Sequence, residues 1–153
     1  MRKLFFLLPL IIIIIIEFSS CKKADTGSGP FASSDTTQWV FNGVTDTAGD
    51  FSQFFGSFSF SNSNGDGMSF EFGSLPFGNQ TYSVVTATAT PGSSQCYLSV
   101  TTGIDNVTYY STGAPGDKVV LKTTGNKEVF SFYNITVSAD GVTKKKVSGA
   151  IVE

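Results

Sequence analysis

The chain has 153 residues, of which only 14% are charged, and its formal net charge is −2. It contains no His, and its one Arg is Arg2. Residues after position 20 therefore cannot form a Ser-His-Asp triad, a histidine metal site or a guanidinium clamp on phosphate, and nucleic acid is a poor candidate partner.

The first twenty residues have the pattern of a secretory leader. Arg2 and Lys3 precede an apolar run over residues 4–16, which at about 1.5 Å per residue falls short of a hydrocarbon core of about 30 Å. This pattern is typical of a signal peptide rather than of a retained membrane helix. The sequence FSSC at 18–21 resembles the lipobox of bacterial lipoproteins, with plain secretion as the alternative. We therefore predict a lipoprotein signal peptide over residues 1–20.

The lipobox resemblance implies that cleavage exposes Cys21, which then carries a diacylglyceryl group and an N-linked acyl chain such as palmitate. Several acyl chains anchor a protein far more stably than one. Residue 22 is Lys rather than the Asp that marks inner-membrane retention, which implies an outer-membrane location facing either the periplasm or the cell surface. With Cys21 lipidated, Cys96 has no disulfide partner and no His to activate it, so we predict a buried, inert thiol.

The segment that follows the leader has the composition of a linker. Residues 22–36 are polar and rich in Gly, Ser and Thr, as flexible linkers are. We predict a lipidated, flexible tether over residues 21–36 and one folded β-domain over residues 37–153.

The composition of the remaining chain favours strands. After residue 20, Leu and Glu occur three times each, whereas Ser and Thr together occur thirty-five times and Phe twelve times. Alternating apolar and polar residues predict an all-β domain of about nine mostly antiparallel strands, either a sandwich or a partly open barrel. The predicted strands cover residues 37–44, 57–61, 68–72, 81–90, 96–102, 107–112, 118–124, 127–138 and 142–152.

The strongest local pattern is a hairpin over residues 57–72. Alternation places Phe58 and Phe60 on one face of the first strand, and Phe70 and Phe72 on one face of the second, so we predict that all four are buried. The connection contains Asn-Gly and Asp-Gly pairs, which favour tight turns.

The same connection matches the opening of a calcium-binding loop. Asn62, Asn64 and Asp66 have the spacing of the first three ligands, but the twelfth position, where the pattern requires Glu, is Gly73. Turn formation explains these residues, and we predict neither a metal nor a cofactor.

Two predicted strands change phase partway along. The apolar face switches between Val84 and Val85, and again between Phe132 and Tyr133. A shift of one residue is what a β-bulge or a sheet corner produces, because it redirects every later side chain.

The overall layout resembles small lipoproteins of Bacteroidetes-type bacteria, many of them of unknown function. The similarity consists of the lipobox, the short tether, a first strand like Trp39–Gly43, a central Tyr-x-Val strand and a last strand like Val147–Ile151. It implies a lipid-anchored β-domain of the outer membrane and brings no catalytic residues.

Asp-Thr pairs also resemble an O-glycosylation motif known in these bacteria, which makes Thr36 and Thr47 candidate modification sites.

Aromatic residues provide one candidate binding site. A carbohydrate-binding module stacks sugars on exposed rings, and the candidate rings are Trp39, Tyr82, Tyr97, Tyr109 and Tyr110. The alternative is that these rings fill a core that is poor in Leu. Tyr109 and Tyr110 are adjacent in a strand, so they point to opposite faces.

No other pattern predicts chemistry. Most of the acidic residues lie beside Gly or Asn in predicted turns, and the run of lysines at 144–146 is typical of a solvated sheet edge. We therefore predict a non-enzymatic interaction or structural module of the cell envelope, with a carbohydrate-binding lipoprotein as the alternative. The predicted partners are the membrane, through Cys21, and either a glycan or another envelope protein.

Overall fold

The computed structural model describes residues 36–153, apart from the side chain of Thr124. The predicted signal peptide, the predicted lipidation of Cys21 and nearly all of the predicted tether lie outside this range. The described chain contains eleven strands and no helix, which confirms the all-β prediction. No helix within residues 36–153 is long and apolar enough to span a membrane.

The strands have the following bounds. They are β1 Gln38–Phe41, β2 Val44–Thr47, β3 Asp50–Phe54, β4 Ser57–Ser61, β5 Gly67–Phe72, β6 Gln80–Val84, β7 Gln95–Thr102, β8 Val107–Ser111, β9 Lys118–Thr124, β10 Lys127–Ser138 and β11 Lys145–Val152.

The strands form one sheet that closes on itself in the middle. Its order is β2-β1-β11-β10-β9-β6-β7-β5-β4-β3, and β8 pairs with both β7 and β10. The ring β6-β7-β8-β10-β9 is therefore a small closed barrel, from which β5-β4-β3 and β11-β1-β2 extend as two arms. The β6–β7 pair is parallel and the other pairs are antiparallel, as the sequence largely predicted.

The described chain has more strands than the predicted nine. Residues 44–54 form β2 and β3, whereas the sequence predicted a single strand that ended at residue 44. All five side chains of β3 are exposed, because this strand lies at the edge of the sheet. It therefore lacks the alternation by which a half-buried strand is recognised.

The phase change in β10 corresponds to a bulge. The pairing between β10 and β11 shifts register between Phe132 and Ile135, and Asn134 between them has a φ of 54°. Beyond the bulge β10 pairs with β8 instead of β9. The predicted corner is thus confirmed, and it is the point at which the barrel closes.

Aromatic side chains of one arm pack in the core against a strand of the barrel. The four Phe residues of the predicted hairpin are all buried. The Phe70 ring lies 5.3 Å from the Phe132 ring, and Phe58 lies 5.3 Å from Phe130, measured between centroids. These contacts join β4 and β5 of one arm to β10.

Antiparallel pairing gives the molecule two distinct ends. We call the end at which β1, β4, β6 and β10 begin the entry end, because the described chain enters the sheet there. Hydrogen bonds connect its segments: Thr37 Oγ1 donates to the Val152 carbonyl at 3.1 Å, and the Thr123 N–H donates to Asn79 Oδ1 at 2.9 Å. The β3–β4 turn and residues 73–79 also lie at the entry end, whereas residues 42–43, 62–66 and 103–106 lie at the opposite end.

Candidate functional site

Two of the five candidate sugar-stacking rings are buried. Trp39 is 0% exposed and Tyr82 is 1% exposed. The Tyr82 ring packs at 4.7 Å against Phe72, and its hydroxyl donates to Gln80 Oε1 at 2.9 Å. Trp39 Nε1 has no hydrogen-bond partner among the described residues. For these two rings the alternative interpretation holds, because they fill a core that contains few Leu side chains.

Tyr97 and Tyr110 lie on the outer face of the sheet. Tyr97 is paired with Glu71 across β5 and β7, and Tyr110 is paired with Ser99 across β7 and β8. Partial burial, and then the charge and hydrogen bond of Glu71, raise the pKa of Tyr97. Tyr110 is 47% exposed. These two rings are the part of the predicted aromatic set that shares an accessible surface.

A cavity of about 530 Å³ lies beside Tyr110. We call it the Tyr110 cavity. Its polar lining consists mainly of hydroxyl side chains, namely Thr86, Thr88, Ser111, Thr112 and Ser138. Ser111 is committed to the fold, because its hydroxyl donates to the Val85 carbonyl at 2.7 Å and accepts from the Leu98 N–H at 3.2 Å. Thr112 Oγ1 donates to the Thr136 carbonyl at 3.3 Å, Ser138 Oγ donates to Asp140 Oδ1 at 3.0 Å, and the Thr86 and Thr88 hydroxyls bond each other at 3.2 Å. Because a hydroxyl oxygen that donates can still accept, these groups can accept hydrogen bonds from a sugar that stacks on the Tyr110 ring.

Tyr109 lies in a different and smaller cavity, of about 260 Å³, at the opposite end. Its ring is 4.9 Å from Phe41, and its hydroxyl accepts a hydrogen bond from Lys145 Nζ at 2.9 Å. The Lys145 ammonium also lies 4.5 Å from the centre of the Tyr109 ring, within the range of a cation–π contact. Tyr109 is thus held by packing, and Lys145 is the lysine of the run 144–146 that turns inward.

The residues that resemble a calcium loop are occupied by turn interactions. Asn62 Oδ1 accepts from the N–H groups of Asn64 and Asp66, at 2.9 and 3.0 Å. The Asn62 amide donates to Asp46 at 3.4 Å, and Asp66 Oδ1 accepts from the Gly103 N–H at 2.8 Å. Burial and the charge of Asp66 raise the pKa of Asp46. Within residues 36–153, no three His, Cys, Asp or Glu residues are arranged to hold a metal ion.

Cys96 is the one cysteine within residues 36–153, and it lies buried in the core as a free thiol. Burial raises the pKa of its thiol to about 12. A thiol that stays protonated and covered is a poor nucleophile, in agreement with its predicted inert role.

Four large apolar side chains are exposed at the entry end, and the sequence did not predict them as a site. Phe54 and Phe55 in the β3–β4 turn are 72% and 89% exposed, and Leu75 and Phe77 in the β5–β6 loop are 58% and 75% exposed. We call these four residues the apolar rim. The two segments adjoin, because the Phe72 N–H donates to the Gly56 carbonyl at 3.0 Å.

The backbone at Phe55 is strained. Phe55 and Gly56 form a two-residue turn with φ values of 42° and 85°. The β1–β2 turn has the same form, with 51° at Asn42 and 80° at Gly43. Asn and Gly suit these angles, whereas a bulky residue adopts them only at a cost. A sequence chosen for folding alone would favour Asn at position 55, so the exposed Phe points to a role outside folding.

The candidate modification sites are accessible where they can be described. Thr36 and Thr47 are both exposed. Thr47 lies in β2 opposite Gln38. Both hydroxyl groups thus lie where a modifying enzyme could reach them.

The structure therefore has two candidate binding surfaces, on different parts of the described chain. One is the Tyr110 cavity, and the other is the apolar rim at the entry end. No protein-family profile, curated protein or solved structure matches the chain.

Proposed function

We propose that this protein is a lipid-anchored domain of the bacterial outer membrane that acts as a non-enzymatic interaction or structural module. The anchor is the acylated Cys21, as the lipobox resemblance implies. The folded β-domain is the part that makes contacts beyond the anchor.

The apolar rim is the observation that carries the interaction role. Burying a Phe or Leu side chain is worth about 1.5–3 kcal/mol, and the rim leaves four such side chains exposed. Single exposed apolar residues are ordinary, but a group of them marks a contact surface. The strained Phe55 adds to this, because its conformation costs stability without burying the ring.

The anchor is tested by Cys21→Ser. We expect the variant to lose essentially all incorporation of a labelled fatty acid, because no other residue of the lipobox can accept the lipid. The full chain is expressed in a lipoprotein-processing bacterium and assayed by metabolic labelling and extraction without detergent.

The matched control is Cys96→Ala, which removes the chain's other thiol and should be labelled like the wild type. Full labelling of Cys21→Ser would refute the lipoprotein assignment.

Carbohydrate binding is the second candidate function. It is favoured by the accessible ring of Tyr110 beside a cavity lined with hydroxyl groups. Tyr97 on the same outer face could extend the contact along a glycan chain.

This second function is tested with a glycan array probed with the full chain. For any glycan bound there, we expect Tyr110→Ala to weaken binding about tenfold, which corresponds to roughly 1.4 kcal/mol. Tyr133→Ala is the control, because Tyr133 is also exposed but does not line the Tyr110 cavity. An equal effect of both substitutions, or an array without any signal, would count against a sugar site.

A further inference from the structure

The apolar rim and the start of the described chain lie at the same end of the barrel. The chain enters at Thr37, which is hydrogen-bonded to Val152 at the end of β11. The next strands around this end are β10 and β9, and Thr123 of β9 is hydrogen-bonded to Asn79, at the end of the loop that carries Leu75 and Phe77. An anchor on the N-terminal side of Thr37 would therefore attach to the same end of the barrel as the apolar rim.

We propose that the apolar rim docks onto the surface of the bilayer in which the lipid on Cys21 is embedded. This inference rests on the proposed lipid anchor. The rings of Phe54, Phe55 and Phe77 enter the boundary between headgroups and acyl chains, where amphipathic surface segments also bury their apolar side chains.

The length of the predicted tether makes this contact available. Sixteen residues, 21–36, separate the proposed lipid from the domain, and a chain reaches at most about 3.3–3.6 Å per residue. A link of that length gives an effective concentration on the order of millimolar. An affinity for the bilayer that would be too low to recruit an untethered domain is then sufficient to orient the tethered one.

The shape of the rim favours a lipid surface over a protein partner. Its four side chains lie on two chain reversals, and none of them lines either cavity described above. A stable protein interface buries about 800 Å² on each partner with close complementarity, for which two loop tips offer little surface. A bilayer imposes no such requirement, because its headgroups and acyl chains adapt to a protruding side chain.

The test compares probes at the two ends of the full chain. Phe55→Cys places a polarity-sensitive fluorophore on the rim, and Ile104→Cys places it at the opposite end, on an apolar residue that is 93% exposed. The buried Cys96 thiol does not compete for the label, because its pKa is raised to about 12. The labelled proteins are reconstituted into vesicles of phosphatidylethanolamine and phosphatidylglycerol, with and without nitroxide-labelled lipid.

We expect the emission at position 55 to shift to the blue and to lose most of its intensity to the nitroxide lipid, while the probe at position 104 does neither. Both substituted side chains are exposed, and equal melting temperatures of the variants check that they fold. A probe at position 55 that remains in water would overturn the proposal. A blue shift that grows with protein concentration and is insensitive to nitroxide would also overturn it, in favour of contact between copies of the chain.

Fatty-acid labelling of the same preparations separates the two proposals. An acylated protein whose probe at position 55 stays in water refutes docking and leaves the anchor intact. A chain without acylation refutes the anchor. Because Cys21 would then also take the fluorophore, docking is tested in that case with Cys21→Ser added to Phe55→Cys, and quenching of this variant by the nitroxide lipid still supports docking.

Discussion

Phe70→Ala should lower the free energy of unfolding by about 3–5 kcal/mol, the usual cost of removing a buried Phe side chain. Phe70 is 2% exposed and lies between Phe72 and Phe132, with ring centroids 6.2 and 5.3 Å away. Its loss would leave a cavity between β5 and β10, because rigid strands on both sides cannot collapse into it. Urea denaturation of the full chain, followed by circular dichroism, measures the change.

The matched control is Phe54→Ala, which removes the same atoms from a ring that is mostly exposed. We expect a loss below about 0.5 kcal/mol for this variant. Equal losses at positions 54 and 70 would contradict the assignment of Phe70 to the core and Phe54 to the surface. The two variants thus test whether Phe70 belongs to the core and Phe54 to the exposed apolar rim, and the proposed function depends on this distinction.

The core was predictable from the sequence because its strands obey local rules. Phe58 and Phe70 alternate with small polar residues around turn-forming Asn-Gly and Asp-Gly pairs, so the face that each ring occupies follows from the period of a strand. The bulge at Asn134 was predictable for the same reason, since a change of phase is visible along a single strand.

Closure of the barrel was not predictable, because it depends on contacts between distant segments. β8 pairs with β7 through four residues and with β10 through two, and nothing local in residues 107–111 specifies the second partner. Sequence patterns report which face of a strand is buried. They do not report which strand lies beside it.

The candidate sites were harder to predict, because the same residue types fill the core and form binding surfaces. Trp39 and Tyr110 are both large aromatic residues in predicted strands, yet one is buried and the other is accessible. The apolar rim was missed because Phe54 and Phe55 adjoin in a segment without alternation. One feature of the sequence could have indicated the rim: Phe55 precedes Gly56 in a tight hairpin turn, at a position where Asn is favoured.

Gly149→Ala should destabilise the protein by about 3 kcal/mol, the upper part of the range for overpacked cores. Gly149 lies in β11, between β1 and β10, where it is paired with Trp39 on one side and Phe132 on the other. A Cβ atom there would lie 2.8 Å from Phe132 Cζ and 2.9 Å from the Trp39 Cα. The Trp39 backbone is held by its pairing with β11, so it cannot yield as a flexible side chain would.

Gly49→Ala is the control, because a Cβ atom at position 49 meets nothing within 4 Å and the residue has no positive φ. We expect it to be neutral, or to stabilise by about 0.4–1 kcal/mol by restricting the unfolded chain. A loss below about 1 kcal/mol for Gly149→Ala would mean that β11 does not pack so closely on Trp39. The expected result would instead explain why β1 and β11, the first and last strands, can approach each other so closely. Gly149 has no Cβ atom to meet the β1 backbone at Gln38 and Trp39 or the ring of Phe132. The Trp39 side chain is itself buried, so a sugar cannot stack on it.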